Sequence, residues 1–168
     1  MYVLSEEQAA DSDEVEWLYD LAFAPGRRAL SSYQLREGVA PVRDLSMVAR
    51  DGFGALGGAI RYWPVRIGES GAPALLLGPV AVHPTRQGEG LGALLLGETL
   101  ARAHEAGWTR VVLVGDEPYY RRFGFSREAA RRLSFPPPTN PERLLARALE
   151  QDAFDGVEGE IGRWTERR

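Results

Sequence analysis

The chain has 168 residues, 44% apolar and 26% charged, with a net charge of −4 and no cysteine. That length supports one domain with a sizeable core, and the acidic balance argues against binding nucleic acid through a basic surface. The missing cysteines exclude disulfides, thiolate metal sites and a cysteine nucleophile, and two histidines alone make a poor metal set. No run reaches the length of a membrane span and residues 1–10 lack a basic-then-apolar leader, so the expected location is the cytoplasm, away from membranes.

Residues 1–4 suit a short edge strand. Ser12 is placed to cap a helix over residues 13–23, where Val15, Leu18 and Ala22 recur at helical spacing and early acids suit the positive end. The acids Asp11, Asp13, Glu14 and Glu16 read best as solvated first-turn charges. Pro25-Gly26 breaks the helix, and residues 27–37 suit a second, shorter helix that offers Tyr33. Residues 45–50 read as a strand, Asp51-Gly52 as a two-residue hairpin turn, and residues 53–67 as the returning strand. Residues 74–82 form a central strand, with a bulge or splay at Gly78-Pro79 because proline cannot donate to the ladder.

Residues 91–106 give the strongest helical pattern, with Ala93, Leu96, Leu100 and Ala103 on one stripe and Gly107 as the stop. Residues 109–114 are a buried strand, parallel to the one before the helix. A short helix from residue 117 or 118 to 122 follows. Residues 142–150 read as helix from Leu144, Leu145, Ala148 and Leu149, and residues 157–164 as a late edge strand. The fold class expected from this order is α/β, with a mixed sheet flanked by helices.

The stretch His83-Pro84-Thr85-Arg86-Gln87-Gly88-Glu89-Gly90-Leu91-Gly92 joins the central strand to the long helix. A glycine-rich turn at a helix start gathers free backbone N–H groups, which makes an anion site. All 20 basic residues are arginine, so no lysine is present to complete a Walker-type phosphate loop. The Gly-x-Gly-x-Gly spacing, set several residues past the strand, also fits a dinucleotide fingerprint poorly. A serine elbow of the Gly-x-Ser-x-Gly type is absent.

Gln87-Gly88-Glu89-Gly90-Leu91-Gly92 after a Val-x-His-Pro strand end resembles the signature of the GCN5-related N-acetyltransferase (GNAT) superfamily. The second element of the resemblance is Tyr120-Arg121-Arg122-Phe123-Gly124-Phe125, a tyrosine four residues before a Gly-Phe pair. Together with Gly115-Asp116 and Tyr119-Tyr120 it is most similar to the YhbS-like subgroup. The resemblance is specific over about residues 45–125. It implies the GNAT acyl-CoA N-acyltransferase fold, one domain over residues 1–168, in which two parallel strands of the central sheet splay apart. It implies acetyl-CoA as acetyl donor, no metal, and a small-molecule or peptide amine as acceptor, with transfer directly in a ternary complex.

The same resemblance places the coenzyme's pyrophosphate against Gln87, Gly88, Glu89, Gly90, Leu91, Gly92 and Ala93. It places the pantetheine arm along Val80, Ala81 and Val82, with a Val80 or Val82 N–H as oxyanion donor. Many members carry an asparagine after the strand ending here at Val114; this chain has Asp116 in that loop instead. Tyr120 is the candidate general acid, since a tyrosine of pKa about 10 can protonate a leaving thiolate of pKa about 8.5 where the site assists. Tyr119 is its reserve. The base is open among Glu69, Asp116, Glu117, His83 and a bound water. A non-catalytic acyl-CoA-binding module on the same fold is the alternative, and the chain is expected to be a monomer or a homodimer.

Overall fold

The computed structural model describes residues 1–23 and 31–166. Its strands are β1 (Val3–Glu6), β2 (Met47–Arg50), β3 (Leu56–Ile67), β4 (Ala72–Val82), β5 (Arg110–Val114), β6 (Leu133–Ser134), β7 (Leu144–Ala148) and β8 (Gly159–Arg163). Its helices are α1 (Ser12–Ala22), α2 (Ser31–Gln34), α3 (Leu91–Glu105) and α4 (Glu117–Tyr120). The sheet runs β1-β2-β3-β4-β5-β7, and every neighbouring pair is antiparallel except β4 with β5. β3 is long enough for its outer edge to pair first with β2 and then, at residues 65–67, with β8.

Side-chain alternation divides the core. Met47, Ala49, Leu75, Leu77, Val111 and Leu113 face α3, against Leu91, Leu95, Leu96 and Leu100. Val48, Ala59 and Ala81 take the other face, under Val15, Leu18 and Tyr19 of α1. Further along that face, Ala74, Leu76 and Val112 pack with Leu144, Ala146 and Ile161. One polar pair lies inside the α3 layer. Thr99 gives its hydroxyl proton to the Leu95 carbonyl at 2.6 Å, so the Tyr62 hydroxyl is the donor in their 2.7 Å bond.

Three sequence expectations are corrected. Residues 142–150 are not a helix: β7 pairs with β5 along its whole length, with Leu144 and Ala146 on one face and Leu145 on the other. The apolar positions 144, 145, 148 and 149 satisfy a helical spacing too, and only the free edge of β5 decides for a strand. The Asp51-Gly52 turn is a five-residue loop over residues 51–55. Its left-handed residue is Gly54 (φ +82), and the Asp51 carboxylate accepts the amides of Phe53 (2.8 Å) and Ala55 (3.0 Å). The second helix shortens to α2, and the expectation for residues 27–30 lies outside the described residues.

Of the acids at the start of α1, three are paired rather than solvated, while Asp13 is exposed as expected. Asp11 (2.8 Å) and Glu14 (2.9 Å) pair with Arg50. Glu16 (2.8 Å) and Glu7 (2.9 Å) hold Arg61, which is buried in β3. These pairs tie α1 to the sheet beside the splay.

Candidate active site

β4 and β5 pair only at Leu75 with Val111 and Leu76 with Val112. Beyond that point each strand keeps its other neighbour. β5 stays on β7 through Val114, and β4 stays on β3 through Val82, so a gap opens between them. The expected bulge is present: between Ile60 and Tyr62, the single residue Arg61 stands opposite Gly78 and Pro79. Its carbonyls outside the ladder are satisfied, since Trp63 Nε1–H donates to Gly78 O at 2.8 Å and the Tyr19 hydroxyl to Pro79 O at 3.0 Å.

The ladder also fixes which amides face the gap. His83 N–H donates to Gly57 O at 2.8 Å across the β3 side. Alternate residues of an antiparallel strand point the same way, so Ala81 faces β3 and the Val80 and Val82 amides face the gap.

The turn after β4 is closed by His83, whose Nδ1 accepts the Thr85 amide at 3.2 Å, and whose ring lies 6.0 Å from that of Trp17. Gly88 (φ +87) and Gly90 (φ +78) hold left-handed conformations, and a Cβ on either would meet only open space. Leu94 N–H is the first to bond back, to Gly90 O at 3.0 Å. Among the described residues, no amide from 88 to 93 has an acceptor, so six donors are free at the helix start. The turn is braced from outside: Arg86 pairs with Asp51 at 2.7 Å, and the Tyr2 hydroxyl bonds Glu89. Arg86 holds the Asp51 carboxyl below the usual carboxylate range.

α4 carries the two tyrosines on the far wall. Tyr120 is fixed from both sides, because its carbonyl accepts the Phe125 amide at 3.3 Å and its ring meets that of buried Phe125 edge-on. That contact explains the spacing between the tyrosine and the Gly-Phe pair: Gly124 (φ +87) reverses the chain and Phe125 anchors it in the core. Burial, reinforced by neighbouring Tyr119, pushes the Tyr120 phenol up to about 12. The Tyr119 hydroxyl leans over the start of α3, 3.0 Å from where a Gly92 Cβ would stand.

These elements enclose a cleft of about 550 Å³. Its wall brings together Val80, Ala81, Val82, Gln87, Gly88, Gly90, Leu91, Gly92, Ala93, Tyr119 and Tyr120. Two expected residues are not on it: Glu89 is turned to Tyr2, and Asp116 is exposed and paired with Arg143 at 3.4 Å. Arg86 and Arg122 also line the cleft and were missed. Arg86 adjoins the glycine motif, and Arg122 follows Tyr119 by three residues, which were the available signals.

A second, smaller cavity of about 130 Å³ lies on the other side of the splay and includes Tyr33, Arg36, Pro79, Val80 and Tyr120. Val80 and Tyr120 therefore stand on both walls. Among the described residues, neither wall holds a carboxylate or a histidine. Among the candidate bases, Glu69 sits in the turn after β3, beside residues 158–160. Glu117 accepts the Arg127 amide at 2.6 Å, which holds its carboxyl below the usual range.

A model of the acetyltransferase (GNAT) domain family matches residues 43–127, the span that runs from before β2 to just past the tyrosine helix. The chain belongs to the GNAT acetyltransferase family. It is 30% identical to the uncharacterized N-acetyltransferase YhbS of Escherichia coli K12 over 149 residues, 89% of this chain and 88% of that one. The crystal structure of Escherichia coli YhbS in complex with CoA superposes with a TM-score of 0.83 at 28% identity, covering 97% of this chain and 89% of that one. A GNAT family acetyltransferase from Brucella melitensis in complex with acetyl-CoA gives 0.73 at 30% identity, covering 98% and 97%. The YhbS-like resemblance and the GNAT mixed sheet are thus borne out, and the protein is an acyltransferase by family. The free amides at residues 88–93 and the basic Arg86 and Arg122 fit an anionic coenzyme at the turn. Among the described residues there is no cluster of side chains fit to hold a metal, and no helix is long and apolar enough to cross a membrane.

Proposed function

We propose that this protein moves an acetyl group from acetyl-CoA to a primary amine of a small molecule or peptide, by direct transfer in a ternary complex. The observation that carries this is the meeting of the two cavities at Val80 and Tyr120, with the Val80 and Val82 amides facing the gap. Acetyl-CoA, when bound, supplies an acetyl thioester. Residues 88–93 would hold its pyrophosphate, with Arg86 and Arg122 as nearby cations, and the amides of Val80 and Val82 would pair with its pantetheine arm.

The chain's part in the chemistry follows. The amine nitrogen bonds to the thioester carbonyl carbon, and the Val80 or Val82 N–H donates to the oxygen as negative charge builds. The C–S bond then breaks, and the Tyr120 phenol gives its proton to the leaving sulfur. Solvent returns a proton to Tyr120. The amine sheds its own proton to water, because neither wall carries a carboxylate or histidine among the described residues. The reading treats residues 1–168 as one domain, acting in the cytoplasm as a monomer or homodimer.

Thiol release from acetyl-CoA across an amine panel tests it, with thermal shift by CoA run alongside. Amine-dependent thiol release together with stabilisation by CoA is expected. Stabilisation without release on any amine would mark a non-catalytic acyl-CoA-binding module, and no stabilisation by CoA would put the coenzyme elsewhere.

A further inference from the structure

The smaller cavity holds a cation that no carboxylate neutralises among the described residues. Arg36 lies on its wall, and Nε and Nη1 of the guanidinium are buried without a hydrogen-bond partner among the described residues. The group is held instead by aromatic residues, with a side-chain hydrogen bond to Tyr33. Its Cζ stands 4.1 Å from the centroid of Tyr33 and 5.5 Å from that of Trp63. Burial lowers its pKa from the ordinary arginine value, and Tyr33 opposes that shift in part.

Other arginines near the site are treated differently. Arg50, Arg61 and Arg86 each meet a carboxylate at 2.7 to 2.9 Å. Among the described residues, no acid lines the Arg36 cavity. A desolvated charge with no counter-ion and two unsatisfied nitrogens is among the least favourable groups a fold can carry, so its retention beside a reaction centre calls for a ligand. The guanidinium is planar, is oriented by two rings, and presents a fork that matches a carboxylate.

We infer that the amine acceptor carries a carboxylate, which Arg36 binds in the smaller cavity so that the amine reaches the Val80 and Tyr120 junction. The substrate class is an amino carboxylate: a free amino acid or a compact molecule with an amine and a carboxylate a few bonds apart, which a cavity of about 130 Å³ admits. The inference rests on the acetyltransferase reading above and narrows its acceptor. Arg36 is then a specificity determinant that touches the substrate, and Tyr33 a positioning residue that keeps the guanidinium flat.

The test pairs amino acids with their own amides and with the decarboxylated amines, all with acetyl-CoA, in the parent and in Arg36→Met and Arg36→Lys. The acid of the preferred pair should exceed its amide in kcat/KM by about 30-fold or more, the scale of a buried charged hydrogen-bonded pair. In Arg36→Met that ratio should fall to about one, and in Arg36→Lys, which keeps charge without the fork, it should lie between. Arg36→Met should stay folded, since a methionine can pack against the same Tyr33 and Trp63 rings, and its melting temperature checks that a changed ratio is not a loss of fold. Thermal shift with the same compounds in the presence of CoA reads carboxylate binding without turnover. Carboxylate-specific stabilisation that Arg36→Met abolishes supports the inference even if no amine is acetylated, a result that would count against the transferase reading alone. Equal turnover of acids and amides overturns the inference. An acid-to-amide ratio unchanged in Arg36→Met does so too, as does the absence of both turnover and stabilisation with every carboxylate.

Discussion

The Tyr120 ring lies against Gly115, so close that a Cβ on the glycine would stand 2.6 Å from ring Cε2. The other wall of that slot is Leu113, whose side chain would be 3.0 Å from the same Cβ. Gly115→Ala must therefore displace the Tyr120 ring from its place. The expected result is a loss of about 10-fold or more in kcat, since a general acid works only within hydrogen-bond reach. CoA binding by thermal shift should change little. Full activity in Gly115→Ala would mean the tyrosine's position is not critical.

Tyr120→Phe removes the proton and keeps the ring. It should lower kcat by about 100-fold or more while leaving the KM for acetyl-CoA within a few-fold. The phenol, pushed up to about 12, stays protonated across the working range. The acid is needed in its protonated form, so activity should not fall between pH 7 and 10 on its account. Any rise in rate over that interval should follow the pKa of the acceptor amine and persist in Tyr120→Phe. A descending limb below pH 10 that vanishes in Tyr120→Phe would contradict this assignment.

Gly90 holds φ +78 at the start of α3, where a branched residue is strained. Its Cβ would meet open space, so the penalty of Gly90→Val is backbone strain rather than a clash with protein, about 1–3 kcal/mol. Relieving that strain turns the free amides away from their common focus. CoA affinity should drop by about 10-fold or more, the equivalent of losing one charge-assisted hydrogen bond. Calorimetric titration of CoA is the measurement, and unchanged affinity would locate the pyrophosphate elsewhere.

Arg61 is buried and holds Glu7 through two bonds of 2.9 Å, with Glu16 at 2.8 Å. Arg61→Ala leaves the Glu7 carboxylate largely desolvated without a partner and should destabilise the fold by about 3 kcal/mol. Glu16 is more exposed, and Glu16→Gln should lose under about 1 kcal/mol. Urea unfolding of both variants checks the contrast. Similar losses would show that the cluster is solvated.

Burial raises the pKa of Tyr19 and of Tyr62 above the ordinary phenol value. Between pH 10 and the folded values, the unfolded chain ionises these groups while the native state keeps their protons. The native state thus binds more protons, and its stability is complete below about pH 10 and falls as pH rises. For two such phenols the loss from pH 10 to 11 is about 2 kcal/mol. Urea unfolding at pH 8, 10 and 11 measures it; a flat profile would mean that both phenols reach water.

Local chemistry determined much of this protein from the sequence. The strand, the glycine turn and the long helix follow from apolar runs, left-handed glycine positions and helical spacing, all set by near neighbours. Tyr120 was legible through the family resemblance of its Gly124-Phe125 motif, and its placing rests on the burial of Phe125 in the core. Strand or helix over residues 144–148 was not legible, because the deciding partner is β5, thirty residues earlier in the chain. The tertiary structure alone decided which amides face the gap, because that orientation depends on the register of β3 against β4. It alone brought Arg36 to the wall shared with Tyr120 and paired Arg50, Arg61 and Arg86 with acids while setting Arg36 among aromatic rings. Ionic pairing and desolvation are properties of three-dimensional neighbours, and adjacent letters carry no trace of them.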